Sequence, residues 1–124
     1  LVLDAGALMA IEKADRDVVA LIKHELVAGR TPLTHGGIIG QAWRGGGRRQ
    51  ANLSRLLPAV DIRPLDDALG RRAGVLLSRS RTRDVIDAAV VLLAADGDFI
   101  LTSDPNDLQP LAAAAGLHVE LVPV

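Results

Sequence analysis

Phe99-Ile100-Leu101-Thr102-Ser103 runs into Asp104, and Leu1-Val2-Leu3 runs into Asp4. Each is a short apolar run of the kind a buried parallel strand needs. Each ends on a carboxylate at a point where a helix can begin. Between them, Val85 to Ala95 reads as a helix that is apolar on nearly every side, with Asp84 and Asp87 at its start. Acid-terminated strands alternating with helices predict a parallel sheet whose C-terminal edge collects negative charge. Open α/β folds place their ligands at that edge. Carboxylates gathered there repel one another unless a cation sits among them.

The rest of the chain extends the same alternation. Ala5 to Ala14 is rich in helix formers, and Asp15 is suited to cap a helix carrying Val18, Val19, Leu21, Ile22, Leu26 and Val27, which Gly29 stops. Thr31 to Thr34 reads as a second strand, His35 to Arg44 as a glycine-weakened helix, and Arg48 to Leu57 as a helix closed by Pro58. Val60 to Arg63 alternates like a half-covered strand, and Asp66 caps a predicted helix from Asp67 to Ser80. After Phe99 to Thr102 come a helix from Asp107 to Ala115, a C-capping Gly116 and a strand from Leu117 to Val122. The expected fold class is α/β: a three-layer α/β/α sandwich around a mostly parallel sheet of about five short strands. No linker or repeat divides it, so residues 1–124 are expected to form a single domain.

Composition narrows the function classes. Apolar residues make up 49% and aromatic residues 2%, so the core is aliphatic and base stacking on aromatic platforms is disfavoured. With 14 basic and 15 acidic residues the net charge of −1 names no partner, so position has to speak. The absence of cysteine excludes disulfides, thiolate metal sites and cysteine nucleophiles, and fits a reducing, cytoplasmic setting. Charges or glycines interrupt every apolar run before it could span a bilayer, and no signal-peptide pattern is present. The opening on Leu1 rather than Met leads us to expect that a few residues precede it.

Each acid has a plainer reading as a helix cap: Asp4 for the first helix, Asp84 with Asp87 as a partial capping box, and Asp104 ahead of Pro105. Together they say more. Asp4 and Asp104 end strands and belong at one sheet edge. Asp84 and Asp87 are about one turn apart and share a helix face. A cap and a metal ligand are compatible roles, since helix N-termini favour negative charge. Converging carboxylates without Cys or clustered His favour Mg²⁺ or Mn²⁺ over zinc.

At this point the chain resembles a known family. Leu1-Val2-Leu3-Asp4-Ala5-Gly6-Ala7-Leu8 is similar to the opening strand and acid of PIN domains. Asp87-Ala88-Ala89-Val90-Val91-Leu92 resembles their third acidic position, and Leu101-Thr102-Ser103-Asp104 with Pro105-Asn106-Asp107-Leu108 their fourth. Arg83 to Ala95 is close to a form found in VapC-type toxins of bacterial toxin–antitoxin pairs. The resemblance implies a PIN-like fold and a Mg²⁺- or Mn²⁺-dependent endoribonuclease, in which a metal-activated water attacks an RNA phosphodiester. It implies Asp4, Asp87 and Asp104 as catalytic residues, with Asp84 completing the metal ligands. It also implies a homodimer and a cognate antitoxin. One departure stands out: the family's second acid, normally Glu, falls on Gln41, which offers an oxygen but no charge. Either Asp84 compensates, or the chain is a weakened or silent PIN-like module that binds RNA or protein.

Other residues support or limit this reading. Ser103, Asp107 and Gln41 are candidates for hydrogen bonding around the site. Arg44, Arg48 and Arg49 flank Gly45-Gly46-Gly47, a loop suited to gripping RNA phosphates, or else a solvated helix end. The triple glycine lacks the Lys of a phosphate loop. His24, His35 and His118 are scattered, and no serine stands on a nucleophile elbow. A phosphoacceptor domain would need paired acids after the first strand and a later Lys, but Asp4 stands alone and no Lys follows Lys23.

Overall fold

A computed structural model describes residues 1–124. Its strands are β1 (Val2–Leu3), β2 (Leu33–His35), β3 (Asp61–Arg63), β4 (Phe99–Thr102) and β5 (Glu120–Pro123). Its helices are α1 (Ala5–Glu12), α2 (Arg16–Val27), α3 (Gly36–Ala42), α4 (Ala51–Leu56), α5 (Asp67–Ser80), α6 (Val85–Leu93) and α7 (Pro105–Ala115). The strands form one sheet in the order β3-β2-β1-β4-β5, and every neighbouring pair is parallel. The expected "mostly parallel" sheet is thus wholly parallel, because a helical connection separates each strand from the next and no hairpin reverses the chain.

The order places a topological switch at the β1–β4 pair. From β1 the chain builds outward through β2 and β3, then returns to lay β4 on the other side of β1. The crevice beyond the C-terminal ends of β1 and β4 is therefore the natural ligand position.

Both central strands are enclosed except for Phe99 at the start of β4. Val2, Leu3, Ile100 and Leu101 are at most 1% exposed. The apolar helix α6 lies against β1 and β2, with Ala88 through Val91 fully buried. Its small alanines allow close approach to the sheet. On α6 pack α5 and α7, while α1 packs with α2, α3 and α4. No helix is long and apolar enough to cross a membrane.

Local chemistry sets the element boundaries. Asp15 accepts from the backbone N–H groups of Asp17 and Val18, and Asp66 from that of Leu69, so both cap as expected. Gly116 ends α7 in the left-handed region. Several boundaries shift slightly: α1 ends at Glu12, α3 at Ala42 and α6 at Leu93, β2 starts at Leu33 and α7 at Pro105. Other changes say more. His35 belongs to the end of β2 rather than to α3, and its ring caps that helix. The predicted helix from Arg48 to Leu57 is a 3₁₀ turn (Arg48–Gln50), then α4, then a second 3₁₀ turn containing Pro58. The last strand starts at Glu120, since pairing with β4 fixes its register.

Candidate functional site: an acidic edge and an arginine cavity

The acidic site is built on the switch point. Asp4 follows β1 directly and is only 6% exposed. One carboxylate oxygen accepts from the N–H of Ala5 at 2.9 Å, and the other from Thr102 Oγ1 at 2.7 Å. Thr102 is fully buried at the end of β4. The same hydroxyl accepts from the backbone N–H of Asp104 at 3.0 Å. One hydroxyl thus ties together the ends of the two central strands and both of their acids.

Asp104 itself is exposed and makes no capping bond, so the capping reading fails for it. Its carboxylate accepts only from Ser103 Oγ, at 3.3 Å. Gly6 explains how α1 leaves β1 so close to this turn: a side-chain carbon there would stand 2.7 Å from Ser103 Oγ and 2.8 Å from Ser103 N. Only glycine fits that approach.

The third element is α6. Asp84 is exposed and caps the helix, accepting from the N–H groups of Ile86 (2.9 Å) and Asp87 (3.1 Å). Asp87 sits half-buried one turn on. Its carboxyl is pushed up to about 7, first by burial and then by the negative charges of Asp84, Asp4, Asp107 and Asp104. Asp84 and Asp87 share a cavity of about 260 Å³ with Asp107 and Asn106 of α7. The charges of four predicted acids are thus felt at the fifth, Asp87.

Sequence reasoning passed over His35. It is fully buried; Nδ1 accepts from Gly37 N at 3.0 Å, which leaves Nε2 to donate to the Ile86 carbonyl at 3.0 Å. Burial holds its pKa below the usual histidine value, against the opposing pulls of the Ile86 bond and the Asp4 charge. It fastens the end of β2 to the turn of α6 that carries Asp87.

These residues match a hard divalent cation in donor chemistry. The donors are carboxylate oxygens, and the charge crowding at Asp87 is what a cation relieves. They are not drawn into a finished cage, since no group of three or more His, Cys, Asp or Glu side chains stands close enough to hold an ion.

Gln41 is elsewhere. It is exposed on α3 and lines a different cavity, of about 590 Å³, with Arg44, Arg48 and Arg49. The three arginines are thus brought together, as expected, but with Gln41 rather than with the acids. Arg44 also serves the plainer role, donating to the carbonyls of Gly40 (3.0 Å) and Trp43 (2.6 Å) at the end of α3.

No protein-family model matches this sequence, and no curated protein matches it either. Among solved structures, it is similar to a chain in the crystal structure of VapBC2 from Rickettsia felis bound to a DNA fragment from its promoter. The TM-score is 0.65 over 97% of this chain and 96% of that one, at 12% sequence identity. Identity that low speaks for fold alone: the chain has a PIN-like α/β fold, the one that the motifs around Asp4, Asp87 and Asp104 lead us to expect.

Proposed function

We propose that this protein is a Mg²⁺- or Mn²⁺-dependent endoribonuclease, the toxin of a toxin–antitoxin pair. The observation that carries the reading is the Thr102 hydroxyl bridging the Asp4 carboxylate and the Asp104 backbone at the switch point, with Asp87 facing the same edge. Asp4, Asp87 and Asp104 are the catalytic acids, and with Asp84 they hold the cation. When bound, the ion supplies positive charge to a phosphate and lowers the pKa of water. Asp4 is the fixed member, held by two hydrogen bonds. Asp87 is the member whose ionisation the cation favours most, because its carboxyl is the one pushed up to about 7. Ser103 and Asp107 flank the set. Arg44, Arg48 and Arg49 hold the RNA backbone away from the cut. Likeness to a chain of VapBC2 supports a cognate antitoxin as partner, and we extend the reading to a homodimer in the cytoplasm.

The test is calorimetric titration of Mn²⁺ alongside cleavage of RNA oligonucleotides. The wild type binds and cuts. Asp4→Asn and Asp87→Asn each abolish both. Cleavage that survives both substitutions removes the acids from the mechanism.

A second reading has its own observation: Gln41 stands where a carboxylate is expected and faces arginines. A silent module would bind RNA or protein without cutting. Mn²⁺ titration and RNA binding by the wild type separate the two. Metal binding with measurable cleavage identifies a weakened enzyme. RNA binding with neither metal binding nor cleavage identifies the module.

A further inference from the structure

We propose that Gln50 is a positioning residue that holds the Gly45–Gly47 loop as a preorganised cradle for RNA phosphodiesters, an inference that rests on the nuclease reading and deepens it. Gln50 is 4% exposed, and its carboxamide is fully used. The carbonyl oxygen accepts from the N–H groups of Arg44 (2.8 Å) and Gly46 (3.0 Å). The amide nitrogen donates to Glu12 Oε1 (2.7 Å) and the Ala42 carbonyl (2.9 Å). Those bonds exhaust the principal donors and acceptors of a primary amide, and they join α1, the end of α3 and the glycine loop. Gly46 completes the lock. Its φ is +70°, and a side-chain carbon there would stand 2.5 Å from the Trp43 ring. A loop of three glycines, costly to order by itself, is thereby given one shape.

That shape determines the charge of the cavity. Glu12 is the one acid in its lining, and the Gln50 amide engages it. The ion pairs of the chain are Glu25–Arg30, Asp61–Arg63 and Asp67–Arg71, so Lys13, Arg48 and Arg49 line the cavity without a carboxylate partner. Met9 and Ala42 are its only apolar members. Unpaired cations over a polar floor suit a hydrated polyanion and not an amphipathic peptide. Holding them in place before binding removes ordering cost from the encounter.

The test measures binding of a labelled single-stranded RNA oligonucleotide by the full chain carrying Asp4→Asn, across a salt series, with melting temperature recorded for every variant. Gln50→Leu is expected to weaken binding about two- to tenfold, the range for ordering a side chain or two. The slope of log affinity against log salt is expected to fall by about one contact. Gln50→Glu sets two carboxylates together and weakens binding likewise, and adding Glu12→Gln restores it in part: the amide introduced at position 12 donates to the carboxylate at position 50, while the Ala42 carbonyl stays without a donor. A folded Gln50→Leu protein with wild-type affinity and slope overturns the inference. So does an exchanged pair that folds yet binds no better than Gln50→Glu alone, which covers the case where Gln50→Leu does not fold. Arg48→Gln with Arg49→Gln tests the underlying reading. If that pair leaves affinity unchanged, the RNA-gripping role itself fails and takes the inference with it. If it weakens binding while Gln50→Leu does not, only the positioning role falls. Preference for a poly-glutamate peptide over RNA, lost with the two arginines, also overturns it.

Discussion

The acidic edge and the arginine cavity solve opposite problems. The Gln50 carboxamide has a partner for each of its polar atoms, and the unpaired cations around it are exposed to water. Asp87 is half-buried among the negative charges of Asp84, Asp4, Asp107 and Asp104, and burial compounds their repulsion. The first region is complete as it stands. The second carries a repulsion that a divalent cation, on the proposed reading, would relieve. Buried polar groups that are fully satisfied rigidify a structure, whereas crowded titratable groups mark a place where chemistry is waiting.

Predictions follow from breaking either side of that contrast. The largest effect belongs to Asp87→Asn, which is expected to lower Mn²⁺-dependent cleavage by about 10²-fold or more, measured in single-turnover assays. Thr102→Val keeps the strand but removes the bridge. Metal affinity is expected to fall roughly 10- to 100-fold by calorimetry, with little change in far-UV circular dichroism. On the other side, Gly46→Ala is expected to cost about 1–3 kcal/mol in denaturant unfolding, since it meets the Trp43 ring at a positive φ.

A smaller effect concerns pH. Burial, with the neighbouring acids, pushes the Asp87 carboxyl from its ordinary 3.8 up to about 7 on folding. A raised folded pKa gives stability that is present below 3.8 and lost as pH rises through about 7. The metal-free Asp87→Asn protein should therefore gain on the wild type as pH climbs through that window, by roughly 1–2 kcal/mol after solvent screening. A gap that stays flat with pH would contradict the assignment. The smallest effect is a control far from both regions. Arg71→Ala removes an exposed pair with Asp67 and should change stability by less than about 0.5 kcal/mol.

What could be read from the sequence was local. The caps at Asp15, Asp66 and Asp84 bind N–H groups two or three residues away, and the pattern shows on the page. The strands β1 and β4 announce themselves as apolar runs, and α6 as a helix too apolar to face water. The wholly parallel order then follows from helical connections. What escaped acts at long range. Gln50 reaches Glu12 across 38 positions, and His35 reaches Ile86 across 51. No spacing rule links such pairs, so His35 looked like a stray helix residue and Gln50 was not singled out. Gln41 was placed by motif order alone. Only the fold reveals that it shares a wall with arginines.

The hydroxyl bridge from Thr102 to Asp4 spans 98 positions of the chain. A polypeptide leaving the ribosome therefore makes its first acid early but has no neighbour for it until β4 emerges. Contacts of such separation form late. On the proposed nuclease reading, the nascent chain stays harmless to the RNA around it until β4 has been made, and an antitoxin has that long to be ready.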